Sequence, residues 1–212
     1  AVYTADIGHT AAIGFADHGF AKAGAGVVKM VGDTAVAHHH TIFAGVGHGI
    51  HVGGGKAGIV PGGFTAVGGV NDTLASKLLL KDVCEADDGM CRIGTLECEM
   101  SPEMFAKHCA SMLNVPDGGI NWTDGKRPVR TVAVCGGSGG DFLHSLQTQV
   151  DAFVTGELNY HDWPANALNT IVAAGHFYTE APAVEELKNK LQSAFKAIKT
   201  YLAHMKCPYQ IL

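Results

Sequence analysis

The stretch RTVAVCGGSGGDFLHSLQTQV, residues 130–150, decides the fold of this chain. Residues 130–135 form a short apolar, β-branched run, which predicts a strand. The glycines that follow predict a turn, and residues 141–150 have the apolar spacing of a helix. The stretch therefore predicts a strand, a glycine turn and a helix in direct succession.

The same order repeats towards the C-terminus. Residues 152–155 and 170–174 are further apolar runs, and each is followed by a glycine, Gly156 and Gly175. A βαβαβα order predicts an α/β fold with parallel strands and right-handed crossovers. Parallel strands end at one edge of a sheet, so the loops after them are expected to converge there. These loops comprise residues 136–141, 156–162 and 175–180.

Helices are predicted on both sides of residues 91–100, which have the pattern of an extended segment. Asn71 is expected to cap the first helix, and Ser101, followed by proline and an acid, is expected to cap the second. Apolar side chains at steps of three and four over residues 184–205 predict one long amphipathic helix near the C-terminus.

Residues 1–70 are dominated by glycine, since 17 of the 28 glycines lie there. Glycine carries no side-chain pattern, so periodicity is weak in this part of the chain. A strand over 2–8, a helix over 11–23 and a strand over 34–40 nevertheless repeat the C-terminal order. The histidine run 38–40 would then lie at the carboxyl end of a strand.

Composition and charge exclude several classes of protein. The net charge of −5 and pI of about 6.2, without a block of Lys or Arg, disfavour a nucleic-acid or anionic-membrane partner. No apolar stretch is free enough of histidine and glycine to predict a membrane helix. The N-terminus lacks the pattern of a secretory signal, and the six cysteines lack metal-site spacing. We expect a cytoplasmic protein with reduced thiols.

Two groups of residues could bind a metal ion. His176 and Glu180 are four residues apart, so near a helix start they can face one divalent cation; the alternative is a surface pair or a capping acid. His38 and His39 can share one metal only where the chain turns, at a strand end. Neutral imidazole suits Zn, Fe, Mn and Ni ions, whereas a merely polar histidine cluster is the alternative.

Two loops allow more than one interpretation. CGGSGGD, residues 135–141, could present backbone N–H groups to an anion or be a tight turn that allows close packing; it lacks the Walker lysine and the dinucleotide-binding glycine spacing. Glu157 and His161, within TGELNYHDW, could transfer protons beside a metal or satisfy buried polar groups.

Three motifs in this order carry a resemblance to a known family. VAVCGGSGGDFL, FVTGELNYHD and AGHFYTE resemble the NIF-three-like dinuclear-metal family, also known as GTP cyclohydrolase I type-two homologues. GGVNDTLASKL and RIGTLECEMSPEMFAKH are similar to its middle section, and HHHTIF is similar to its HHPLIF, with His40 in place of proline. The resemblance covers residues 68–186 and the histidine motif.

The resemblance implies a fold, a ligand set and an assembly. The fold would be two α/β domains with mostly parallel strands and a metal site in the cleft between them. We place the first domain at 1–100 and the second at 101–180, and expect an amphipathic helix within 181–212 to pack back on the core. The implied assembly is a homo-hexamer, a trimer of dimers.

The implied ligands of two divalent metal ions are His38 and His39 from the first domain and His176 and Glu180 from the second. The family pattern also has an aspartate just before GGVND, and this chain has Phe64 near that place. One metal would then be bound more weakly, or Asp72 or another acid would substitute, or the glycine-rich stretch departs from the natural sequence.

The resemblance suggests two functions. The first is a metal-dependent hydrolase acting on a nucleotide or other small-molecule phosphoester, with His161 or Glu157 moving protons. The second is a non-enzymatic, ring-shaped protein that binds metal or acts as a scaffold. The residues alone also allow a third interpretation, a small-molecule-binding α/β domain without metal. A fold does not decide between them, because activity depends on the site.

Overall fold

The computed structural model describes residues 67–164, 169–194, 199–202 and 206–211, together with the backbone of six strands nearer the N-terminus. Its strands are β1 (Val2–Asp6), β2 (Thr10–Gly14), β3 (Ala21–Ala23), β4 (Gly26–Val31), β5 (Thr34–Ala37), β6 (Thr41–Ile42), β7 (Lys81–Ala86), β8 (Cys91–Met100), β9 (Asn121–Trp122), β10 (Val129–Cys135), β11 (Ala152–Thr155), β12 (Thr170–Ala173) and β13 (Lys199–Leu202). Its α-helices are α1 (Val70–Lys77), α2 (Pro102–Leu113), α3 (Leu143–Leu146), α4 (His176–Glu180) and α5 (Pro182–Ala194).

The chain divides into two compact units, of which the second comprises Val70–Pro182 and Cys207–Leu212. Its sheet has the order β7-β8-β10-β11-β12-β9. The strands β10, β11 and β12 are parallel to one another, as the sequence predicts. The outer ladders, β7 with β8, β8 with β10 and β12 with β9, are antiparallel.

Both faces of the central strands β10, β11 and β12 are mostly buried, which explains why these strands are continuous apolar runs. Val132, Val134 and Val154 point to the face that packs against α1 and α2. The alternate residues Ala133 and Phe153 point to the other face, where they pack with side chains of α3. The central strands therefore lie between two apolar layers. The ends of these strands are not covered by either layer, so a site can form beyond their carboxyl ends.

The start of α2 is as predicted, whereas that of α1 is not. Ser101 caps α2, since its side chain accepts a hydrogen bond from the amide of Met104, and Pro102 is in the first turn. In contrast, α1 already begins at Val70, so Asn71 lies within its first turn. The Asn71 side chain is fully buried and forms hydrogen bonds with Met90 and Gly136 instead of capping the helix.

The other unit comprises Ala1–Gly69 and Ala183–Lys206. Its described strands form a four-stranded sheet in the order β13-β2-β1-β6 and a three-stranded sheet in the order β3-β4-β5. Strands occupy Thr10–Gly14 and Ala21–Ala23, where we predicted a helix. The predicted strand over 34–40 is present as β5 up to Ala37. The histidine run that follows lies outside the described residues.

The fold class is α/β, but the prediction of mostly parallel strands is wrong. The described ladders are mostly antiparallel, and the parallel ones are β10 with β11, β11 with β12 and β13 with β2. The β8 strand is antiparallel to β10 because α2 and the segment after it return the chain to the end at which β8 finished, pairing Met100 with Val129. Residues 70–100 belong to the second unit, whereas the first domain predicted from the sequence extends to residue 100.

The predicted C-terminal helix is shorter than expected. The helix α5 ends at Ala194, and Lys199–Leu202 forms the strand β13, which pairs in parallel with β2. Val184 and Leu191 of the predicted apolar stripe are buried on α5, but Leu202 lies on the strand and is exposed. The pairing of β13 with β2 joins residues far apart in sequence, and helical spacing within residues 184–205 carries no information about such a partner.

Two further predictions can be compared with the described residues. Among them, no helix is both long and apolar enough to cross a membrane. The six cysteines are free thiols, as expected.

Candidate functional site

The three glycine loops that follow β10, β11 and β12 meet at one point, as the sequence predicts. The carbonyl oxygen of Gly137 accepts hydrogen bonds from the amides of Gly156, at 2.8 Å, and Glu157, at 2.9 Å. The amide of Gly175 donates to the carbonyl oxygen of Gly156 at 2.9 Å. These backbone bonds connect all three loops, so side chains far apart in sequence lie side by side.

His176 stands between two carboxylates at this point. Its Nε2 lies 3.0 Å from Oε1 of Glu180, one helical turn along α4, and its Nδ1 lies 3.3 Å from Oε1 of Glu157 in the neighbouring loop. The side chain of His176 is 43% exposed and that of Glu157 is 55% exposed, whereas Glu180 is largely buried. One imidazole with two carboxylates therefore faces solvent at the carboxyl edge of the sheet.

The two carboxylates make the imidazole a strong base. The hydrogen bond with Glu180 is the main cause that raises the pKa of His176 from 6.5 to about 9; partial burial opposes this rise, and Glu157 adds to it. In the metal-free protein the ring is therefore protonated at neutral pH. Each ring nitrogen of the imidazolium then carries a proton and faces one carboxylate.

This shift predicts a pH dependence of stability for the metal-free chain. The folded pKa, about 9, lies above the unfolded value of 6.5. Protonated His176 therefore contributes stability that is fully present below pH 6.5 and is lost as the pH rises through 9. We expect the urea midpoint, measured with chelator, to fall over this range, and the fall to be smaller in His176→Asn. Equal falls in both proteins would contradict this assignment.

The glycine turn of CGGSGGD is a close-packing device. The amide of Gly136 donates to Oδ1 of Asn71 at 2.8 Å, that of Gly137 to Oγ1 of Thr179 at 3.1 Å, and that of Gly139 to Oγ1 of Thr155 at 2.9 Å. These amides are used within the protein, which favours the tight-turn interpretation over an anion cradle.

Gly137 fits its position for a steric and a conformational reason. Its φ is +66°, and a Cβ atom there would lie 2.6 Å from Oε1 of Glu180 and 3.1 Å from Nε2 of His176. The turn therefore runs directly against the two side chains that the sequence singled out as ligands. Any larger residue at 137 would push them out of place.

Of the two residues predicted to transfer protons, one belongs to this group. Glu157 contacts His176, and its other oxygen accepts a hydrogen bond from Ser138 at 3.4 Å. His161 lies in a short 3₁₀ turn, Tyr160–Asp162, where its exposed ring packs edge-on against Tyr160. The structure does not bring His161 into contact with His176, so its role stays a prediction.

The structure argues against Asp72 as a substitute for the aspartate ligand of the family pattern. The carboxylate of Asp72 accepts a hydrogen bond from the buried guanidinium of Arg92. An acid already engaged by arginine is a poor candidate for a metal ligand, because binding would have to break this ion pair. His38 and His39 lie outside the described residues. Within the described ranges no three or more His, Cys, Asp or Glu side chains form a group that could hold a metal ion.

Some residues of the site could not be found from the sequence. Asn71 bridges two segments, because its Nδ2 donates to the carbonyl oxygen of Met90 at 2.6 Å while its Oδ1 accepts from Gly136. Thr179 accepts from Gly137, and Tyr209 approaches Gly175 from the C-terminal segment. The bond from Asn71 to Gly136 spans 65 residues, and no local pattern encodes such a pairing.

Comparison with known proteins identifies a family for this chain. The family model of Duf34/NIF3 (NGG1p interacting factor 3) matches residues 65–209, more than half of the chain. A curated relative from Nostoc, named GTP cyclohydrolase 1 type 2 homolog, is 31% identical over 134 residues, which are 59% of this chain and 51% of the relative. The chain thus spans about half the length of that relative.

Solved structures show the same fold. A Bacillus cereus protein related to NIF3 matches with a TM-score of 0.61 at 18% identity, covering 70% of this chain and 71% of that one. A Staphylococcus aureus hypothetical protein matches with a TM-score of 0.61 at 20% identity, covering 70% and 66%. The structures show a shared fold, and the family-model match over residues 65–209 shows that the chain belongs to the Duf34/NIF3 family.

Proposed function

We propose that this member of the Duf34/NIF3 family binds two divalent metal ions, with His176 and Glu180 as ligands and His38 and His39 as further ligands from the N-terminal part of the chain. The observation that supports this proposal is the His176 imidazole held between the carboxylates of Glu157 and Glu180 at 3.3 and 3.0 Å. A cation bound at either ring nitrogen of His176 would take the place of the proton on that nitrogen.

The donor set fits the proposed ions. Imidazole nitrogen with carboxylate oxygen is a common ligand combination for Zn, Fe, Mn and Ni. Two cations close together need negative charge, which Glu157 and Glu180 bring. The described residues do not hold a complete set of three ligands, so the proposal requires donors such as His38 and His39.

As an enzyme, the protein would be a metal-dependent hydrolase acting on a nucleotide or phosphoester. Bound divalent ions would supply Lewis acidity and a water of lowered pKa. Glu157 is half exposed and hydrogen-bonded to Ser138, so its carboxylate can take a proton from a reacting group at the surface of the site. His161, exposed on the same loop, can pass such a proton to solvent. The name of the Nostoc relative supports a nucleotide as the substrate class.

A non-enzymatic role is the second candidate. The exposure of His176, 43%, and of Glu157, 55%, supports it, because an open site exchanges metal readily and excludes little water from a reaction. In this role the chain would form a ring-shaped hexamer that carries metal or acts as a scaffold. Native mass spectrometry of the purified protein measures this assembly directly.

Metal content and turnover together test the proposal. We expect protein purified without chelator to hold divalent metal by mass spectrometry. His176→Ala should lower the metal affinity at least about tenfold, because even loss of a group that only supports a ligand costs about 10–100-fold. His144→Ala, an exposed histidine on α3, is the control and should bind normally. If the protein hydrolyses GTP or another phosphoester and His176→Ala abolishes this activity, the result supports the enzymatic role. If the protein binds metal but hydrolyses none of these substrates, the result supports the non-enzymatic role. Unchanged metal affinity in His176→Ala would contradict both.

A further inference from the structure

A cleft of about 700 Å³ lies in the second unit, at the edge where β11 and β12 end. Gly156, Glu157 and Gly175 form part of its lining. Glu157 also contacts His176, so the cleft and the candidate metal site share a carboxylate. The volume is within the usual range for small-molecule sites, roughly 300–1,000 Å³.

The walls of this cleft are aromatic. Trp122, Tyr160, Trp163 and Tyr209 all line it, and none of these four rings stacks on another of them. Tyr160 is 87% exposed and Trp122 is 36% exposed. Large aromatic surfaces gain free energy when they are covered, so the exposed rings of Tyr160 and Trp122 can stack on a flat ligand.

The polar groups of the cleft limit the chemistry of that ligand. Glu157 offers a carboxylate and Asn121 an amide, whereas no Lys or Arg is among the lining residues of this described cleft. A carboxylate accepts hydrogen bonds from N–H groups, and it repels a phosphate. The cleft therefore suits the ring of a ligand, and an anionic group would have to point away from it.

We propose that this cleft binds a planar nitrogen heterocycle, such as a purine or a pterin, which stacks on Trp122 and Tyr160 and donates an N–H group to Glu157. The inference rests on the proposed function, because it places the ring of the substrate beside the candidate metal site. It also narrows the substrate class, since a phosphoester without an aromatic ring leaves these walls unused.

Tryptophan fluorescence reports on this cleft alone. The chain has two tryptophans, and both line the cleft. In the full chain with chelator present, we expect GMP, AMP or a pterin to give saturable quenching, whereas ribose 5-phosphate, which lacks the ring, gives none. The inference fails if no heterocycle gives saturable quenching, or if ribose 5-phosphate quenches equally.

Variants locate the binding to the cleft. Removing one stacking ring weakens nucleobase binding by about 1–3 kcal/mol in other proteins, so Tyr160→Ala should lower the affinity at least about fivefold. Tyr201→Ala, an exposed tyrosine on β13, should leave it unchanged. Trp122→Ala, followed through the remaining tryptophan, gives a second variant with the same expectation, and unchanged affinity in both would overturn the inference. Because the titrations contain chelator, they measure binding of the heterocycle without metal. A negative result would therefore overturn this inference and leave the proposed metal binding to its own test.

Discussion

Replacing Arg92 with alanine should lower the free energy of unfolding by about 1–3 kcal/mol, the usual cost of leaving buried hydrogen-bond partners unsatisfied. The Arg92 side chain is only 2% exposed. Its guanidinium donates to Asp72 and to the carbonyl oxygens of Gly89, at 2.7 Å, and Cys91, at 3.0 Å. Alanine removes these donors at once and leaves a cavity between α1 and β8.

Urea denaturation of Arg92→Ala and Arg130→Ala tests this prediction. Arg130 lies on the adjacent strand β10 and its side chain is exposed, so its removal should change the stability by no more than about 0.5 kcal/mol. If the two variants lose similar stability, the guanidinium of Arg92 does not hold α1 against the sheet. The position of Asp72 as an ion-pair partner, and not a metal ligand, would then have to be reconsidered.

Replacing Gly156 with alanine should lower the free energy of unfolding by about 1–3 kcal/mol, the usual cost of overpacking. A Cβ atom at this position would lie 2.7 Å from the carbonyl oxygen of Gly137, 2.8 Å from Cα of His176 and 2.8 Å from Oγ1 of Thr179. Two of these three atoms belong to backbone, so the loops must move apart. Because His176 and Glu157 lie on these loops, we expect the metal affinity to fall together with the stability.

Gly140→Ala is the matched control for Gly156→Ala. Its added Cβ would meet only side-chain atoms, Oδ2 of Asp162 at 3.0 Å and Cδ2 of Leu158 at 3.3 Å, so shifts of a few tenths of an ångström relieve both contacts. Thermal unfolding and metal titration of both variants separate a general effect of alanine from an effect on the meeting point of the loops. If Gly156→Ala folds and binds metal with the affinity of the unaltered protein, the expected link between loop position and metal binding is wrong.

The sequence predicted the part of the fold that local pattern controls. The strands β10, β11 and β12 and the helix α2 have clear apolar runs, glycine breaks and a serine cap, and the structure confirms them. The convergence of the three loops followed from the parallel order of these strands. The pairing of His176 with Glu180 followed from helical spacing within four residues.

Long-range pairing could not be predicted in the same way. The antiparallel ladder between β8 and β10 depends on where α2 returns the chain, and β13 depends on a partner nearly 190 residues away, Thr10–Gly14. The buried side chain of Asn71 had the sequence pattern of a cap, but hydrogen bonds to Met90 and Gly136 hold it inside the protein. In the N-terminal part, glycine and alanine gave no periodicity with which to distinguish strand from helix.

Anomalous diffraction at the absorption edge of the bound metal tests the central proposal most directly. In crystals of the full chain grown with Zn, Mn or Fe, we predict an anomalous peak at ligand distance, about 2.0–2.2 Å, from a nitrogen of His176 and an oxygen of Glu180. Peaks only at other side chains, or metal-loaded crystals with His176 still paired to both carboxylates, would contradict the proposal.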